Sequence, residues 1–172
     1  MIYISTYFID EEFVINLISN YCNQNSYFAE EVLGKINVTS LLDRLSCIRK
    51  ETPAMIILFL LVHNISYQRE LERVLKTHCR QIDWYLRKLE KLELIERVTS
   101  EDEEAQKIIK EKNIKKARGS RDIVFYRLKK ETFSNPDPLF FQLVIKLIQE
   151  VLPEEKIQEI KSYRRTFVDS GK

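Results

Sequence analysis

Residues 66–98 read SYQRELERVLKTHCRQIDWYLRKLEKLELIERV, and two helical periods are written into them. In the first, Leu71, Val74 and Leu75 fall three or four apart behind Ser66, which can cap a helix from Tyr67 to Leu75. Lys76, Thr77 and His78 make a short connection. A longer helix then runs from about Cys79 to Leu92, with Ile82, Tyr85, Leu86, Leu89 and Leu92 on one face. Residues 94–98 alternate like a strand, and residues 123–128, IVFYRL, do so again. Upstream, residues 54–63 are apolar almost all round, which predicts a buried helix with Pro53 at its first position, where the missing N–H costs nothing. The order is helix, helix, turn, helix, strand, charged loop, strand.

That order, with the segment from Ser66 to Leu75 and the helix closing on Leu89-Glu-Lys-Leu-Glu-Leu-Ile-Glu-Arg-Val98, resembles the winged helix-turn-helix transcription regulators of the MarR-like and ArsR-like families. Their pattern is a helix with a central Glu-Leu or similar pair, a turn, and a helix ending in Leu-Glu-x-x-Gly-Leu-Ile. Here Glu93 stands where the pattern has glycine, the residue that usually relaxes a helix C-terminus into the following strand. The resemblance covers about residues 53–130. It implies a winged helix-turn-helix fold and binding to double-stranded DNA, as a dimer made by terminal helices.

Composition bounds the alternatives. Of 172 residues, 44% are hydrophobic and 31% charged, enough for a core under a polar surface, which excludes a disordered chain. Three glycines and four prolines supply too few turns for a multi-stranded sandwich or barrel. The expected fold is mainly α with a small β-wing: an N-terminal helical region over 1–52, a winged helix-turn-helix domain over 53–131, and a C-terminal helical region over 132–172. In the first region, Asp10 and Ser26 are placed to cap helices, and Thr39 starts a third with Leu41, Leu42, Leu45 and Ile48 on one face. The longest apolar run, 54–62, is about half a membrane span. The N-terminus lacks a basic start and places Asp10, Glu11 and Glu12 close by, so a signal peptide is not expected and a cytoplasmic protein is.

Cys22, Cys47 and Cys79 are far apart, form no CxxC pair and have only His63 and His78 to assist a metal, so no metal or cofactor is expected. Cys79, beside His78 and Arg80 at a helix start, could be a redox-sensing thiol, although one cysteine in such a place is more often incidental. There is no glycine-rich phosphate loop, GxSxG elbow or HExxH spacing, and the acidic pairs sit at helix starts where the dipole favours them. No enzyme is expected.

Charge is unevenly spread. The net value is +2, but residues 53–131 hold 18 Lys/Arg against 13 Asp/Glu, while residues 1–52 hold 4 against 7. A nucleic-acid surface therefore belongs in the middle third. With Ile82, Tyr85, Leu86 and Leu89 inward, the outer face of helix 79–92 carries Arg80, Gln81, Asp83, Trp84, Arg87, Lys88 and Lys91. Arg80, Gln81 and Trp84, in its N-terminal half, are the expected major-groove readers; Arg87, Lys88 and Lys91 are placed for phosphates. A solvated charged face is the plainer alternative.

Residues 107–121 add Lys107, Lys110, Lys112, Lys115, Lys116, Arg118 and Arg121 against the single acid Glu111, an arm suited to the DNA backbone or minor groove. The acidic run 101–104 can cap a short helix from Ala105 to Lys112, which would make this wing partly helical. An ordinary solvated insertion is the alternative. Beyond the linker at 135–138, Leu139, Phe140, Phe141, Leu143, Val144, Leu147, Ile148 and Val151 crowd one helix, read first as a dimer interface and second as a clamp on the N-terminal helices. The function expected is a dimeric DNA-binding transcription regulator. The alternative is a protein-interaction subunit of a replication, transcription or repair assembly, its acidic N-terminal region docking a partner.

Overall fold

The structure, a computed structural model, describes residues 38–99, 101–111, 123–130, 132 and 138–165. The expected helices of residues 1–37 lie outside them. Helix α1 (Val38–Ile48) is followed by α2 (Glu51–His63), strand β1 (Ile65–Tyr67), α3 (Gln68–Leu75), α4 (Cys79–Lys91), β2 (Ile95–Val98), α5 (Glu103–Glu111), β3 (Phe125–Leu128), α6 (Pro138–Val151) and α7 (Glu154–Ser162). The chain is mainly helical with a small three-stranded antiparallel sheet in the order β1–β3–β2.

The organising element is α2. Every residue from Thr52 to Leu60 is buried, so over that stretch no side of the helix reaches water. It begins two residues before the expected start, which puts Pro53 third in the helix, still within the first turn where N–H groups have no intrahelical partner. At roughly 1.5–3 kcal/mol for each fully buried Leu, Ile or Phe, the helix gains only if other elements cover all its faces. Helices α1, α3, α4, α6 and α7 and strands β1 and β3 do so.

Strand β1 is an element the sequence reading missed. Ser66 sits inside it and does not cap the next helix: Tyr67 is the residue at the N-cap of α3, and Ser66 Oγ donates to Glu70 Oε1 at 2.8 Å. Pairing places Tyr67 opposite Phe125, and Val98 opposite the same Phe125 from the other side. With period-two alternation, Ile65, Tyr67, Val98 and Phe125 share one sheet face, where they bury Ala105 and Ile108 of α5. Ile95, Tyr126 and Leu128 share the other face and join the main core. The sheet is thus covered on both sides, and α5 is the helical part expected of the wing, begun by Asp102, whose Oδ1 accepts from the Glu104 N–H at 3.0 Å.

The C-terminal helices are committed within the chain. Leu143, Val144, Leu147 and Ile148 of α6, with Ile157 and Ile160 of α7, are buried in the core that α1, α2 and α4 also build. The stripe that prompted the dimer expectation is therefore spent, over these residues, in the manner of the clamp. His63 Nε2 donates to the Ile160 carbonyl at 2.8 Å, and the rings of Phe59, His63 and Tyr163 cluster, each pair tilted or edge-on with centroids 4.5–5.6 Å apart.

Beyond α7, Arg165 folds back on the fully buried Glu70. Its Nε donates to Glu70 Oε2 at 3.0 Å and its Nη2 to Oε1 at 2.9 Å, while Tyr163 Oη donates to Oε2 at 3.3 Å. Arg165 Nη2 also donates to the carbonyl of Ile65 on the sheet's edge strand. A carboxylate with no contact with water is tolerable only when so satisfied. Arg165→Ala is expected to cost about 3–5 kcal/mol in urea unfolding, because it leaves the fully buried Glu70 carboxyl group without its counter-ion. Replacing both, Glu70→Gln with Arg165→Met, should recover much of that loss; a cost below about 1 kcal/mol for Arg165→Ala would contradict the latch.

Candidate nucleic-acid interface

Helix α4 is held at both ends and along one side. At its start His78 is the N-cap residue, its Nδ1 accepting from the Arg80 N–H at 3.2 Å. Ile82, Tyr85, Leu86 and Leu89 are buried as the periodicity requires. At its end the Leu94 N–H donates to the Leu89 carbonyl and the Glu93 N–H to the Glu90 carbonyl, both at 3.0 Å. These are the 6→1 and 5→2 bonds of a Schellman motif, with Glu93 at the position that needs left-handed backbone. Glu93 adopts φ 60° there, where glycine would sit without a Cβ penalty.

The side chain offsets part of that cost. Glu93 meets Arg44 Nη2 at 3.6 Å and Lys129 Nζ at 3.5 Å, and its carbonyl accepts from Thr132 Oγ1 at 2.6 Å. Arg44 Nε also donates to the Leu92 carbonyl at 2.9 Å, so α1 is tied to the C-terminus of α4.

The exposed face carries Arg80, Trp84, Arg87 and Lys91, with Lys88 half-buried beside them. Trp84 is 52% exposed, its ring 4.8 Å from that of Tyr85 at 80°, and Lys88 Nζ lies 4.8 Å from the indole centroid. Arg87 Nε contacts Asp83 Oδ2 at 3.1 Å, an exposed i,i+4 pair contributing about 0.3–0.5 kcal/mol and readily exchanged for a phosphate. Arg80, Lys88 and Lys91 make no ion pair among the described residues.

Gln81 is differently placed. Its Nε2 donates to Thr52 Oγ1 at 3.2 Å, and the residue lines a cleft of about 470 Å³ between the start of α2, the α3–α4 turn and α7. Glu51, Glu155 and Glu159 line the same cleft together with Lys76 and Lys156, the latter paired with Glu51. A bidentate contact from Gln81 to adenine would first have to break the Thr52 bond.

Of the basic arm, Lys107 and Lys110 are described; both are exposed on α5, which Ala105 and Ile108 fasten to the sheet. Lys112, Lys115, Lys116, Arg118 and Arg121 lie outside the described residues. Other middle-third cations are already paired, Arg97 with Glu90 at 2.9 Å and Arg127 with Glu96 at 2.7 Å. Hydrogen bonding to Glu96 raises the Arg127 pKa. Exposed cations not singled out in the sequence include Arg69 and Arg73, one turn apart on α3, and Lys76 after it. Their i,i+4 spacing opposite Leu71 and Leu75 was the signal that could have found them.

Cys47 is buried, which pushes its thiol pKa up against the lowering pull of Lys88 and Lys50. Cys79 is exposed, its Sγ 3.8 Å from His78 Nδ1. Among the described residues no three His, Cys, Asp or Glu side chains are grouped to hold a metal, and no helix is long and apolar enough to cross a membrane.

No protein-family model, no curated protein and no solved structure matches the chain.

Glu93 offers a direct check on how α4 is terminated. Glu93→Gly removes a strained side chain and two exposed ion pairs while adding chain entropy, so stability should stay within about 1 kcal/mol. Glu93→Val puts a β-branched residue in left-handed backbone and should cost about 1–2 kcal/mol in thermal or urea unfolding. Equal effects of the two substitutions would contradict the observed backbone.

Proposed function

We propose that the chain is a winged-helix DNA-binding protein, acting in transcription regulation, with α4 as the helix that meets the duplex and α5 and the residues after it as a basic wing. One observation carries this reading. Arg80, Trp84, Arg87, Lys88 and Lys91 lie on the outward side of a helix whose opposite side is fully buried and whose two ends are both capped. The element order from α2 to β3, with sheet order β1–β3–β2, supports it. A helix fixed in this way presents its cations without a further cost of ordering backbone, and arginine is the side chain best able to contact guanine edges bidentately. Lys107 and Lys110 add backbone contacts on α5.

The dimer belongs to the same proposal in altered form. With most of the stripe of α6 buried in the chain's own core, a two-fold pair would use what remains outside, where Phe141 is exposed.

Mobility-shift titration on random duplex at two salt concentrations tests the reading. Binding should weaken with salt at a slope of about −0.9 per phosphate neutralised, and Lys107→Ala with Lys110→Ala should flatten the slope by about one to two units per chain, equally on all sequences. Arg80→Ala should cost about 1–3 kcal/mol at a preferred site and less on random DNA. Absence of duplex binding at low salt would overturn the proposal.

A further inference from the structure

We propose that Trp84 is a stacking platform for an unpaired base, so that the DNA held on α4 carries single-stranded nucleotides next to its duplex. This rests on the nucleic-acid reading above and names the substrate class of that same surface. At 52% exposure, Trp84 is the most exposed large apolar side chain among the described residues. Arg80, Arg87, Lys88 and Lys91 stand at i−4, i+3, i+4 and i+7 from it, all on its side of the helix. The indole thus lies among four cations, with Tyr85 packed against it from the core side.

That setting selects the partner. The core of a protein–protein interface is depleted in charge, whereas here the aromatic ring is surrounded by it. Paired bases show only their edges in the grooves, so an indole entering a groove meets no base face. An unpaired base exposes its π-face, and stacking on an aromatic side chain contributes about 1–3 kcal/mol per base. The Lys88 ammonium over the ring contributes about 0.5–1 kcal/mol at an exposed site, so a base outcompetes it. Lys88 is then released toward the phosphates flanking the stacked nucleotide.

The chain has a single tryptophan, so fluorescence excited beyond the tyrosine absorption band reports from Trp84 alone. The full chain is titrated with a blunt duplex and with the same duplex carrying a short thymidine overhang, affinity being read by anisotropy of a label on the DNA. The overhang should quench the indole and bind at least about fivefold more tightly than the blunt duplex, as 1 kcal/mol of stacking requires. Trp84→Ala should abolish that preference, bringing the two DNAs to equal affinity, while Trp84→Phe retains most of it. Because Trp84 is exposed, unchanged circular dichroism should accompany both variants. Equal affinities without quenching, or equal losses on both DNAs in Trp84→Ala, would overturn the platform and leave the DNA-binding reading standing. Failure of both DNAs to bind would overturn both and assign the indole to a protein partner.

Discussion

A helix with no polar side has to be surrounded, and that constraint organises the protein. From Ala54 to Leu60 each side chain of α2 is buried, so five helices and two strands pack around it. This explains why helices from both ends of the described chain join the core: α1 and α6 cover one another as well as α2, and α7 lies against α2 through His63 and Tyr163. It also explains what is left outward. Helix α4 spends Ile82, Tyr85, Leu86 and Leu89 on the core and keeps its charged face free.

Polar anchoring finishes what burial begins. Glu70 is the one acid among the fully buried polar residues, and it gathers Ser66, Tyr163 and Arg165 around it. These contacts join β1, α3 and the segment after α7, which burial alone would leave free to shift. At the other end of the domain Arg44 satisfies the Leu92 carbonyl and Glu93 together. Helix α4 is therefore fixed near its start by His78 and near its end by α1, which suits it to present side chains with little loss of entropy on binding.

Periodicity made much of this legible. The inward residues of α4 follow from spacing, the burial of α2 from an apolar run without a polar side, and the helix within the charged segment from the acidic run that begins it. Strand β1 did not, since Ile65, Ser66 and Tyr67 are all buried and show no alternation. The Glu70–Arg165 pair spans 95 positions and leaves no local trace. Gln81 fits the outward face by helical position, yet it turns to Thr52, a neighbour 29 residues away that periodicity cannot reveal. Glu93 departs from the resembling pattern in identity while keeping its backbone conformation, because Arg44, Lys129 and Thr132 meet it there. Spacing told which face of the helix is outward; long-range partners decided which outward residues are uncommitted.

On the proposed function, nucleic acid meets the cations of α4 and α5 and leaves those of α6 and α7 untouched. Lysine acetylation footprinting by mass spectrometry, with and without a duplex bearing a single-stranded overhang, tests it most directly, because each of the four helices carries an exposed lysine. DNA should slow modification of Lys91, Lys107 and Lys110, and of Lys88 beside them, while Lys146 on α6 and Lys161 on α7 react as before. Protection of Lys146 and Lys161 in place of the α4 and α5 lysines would contradict the assignment.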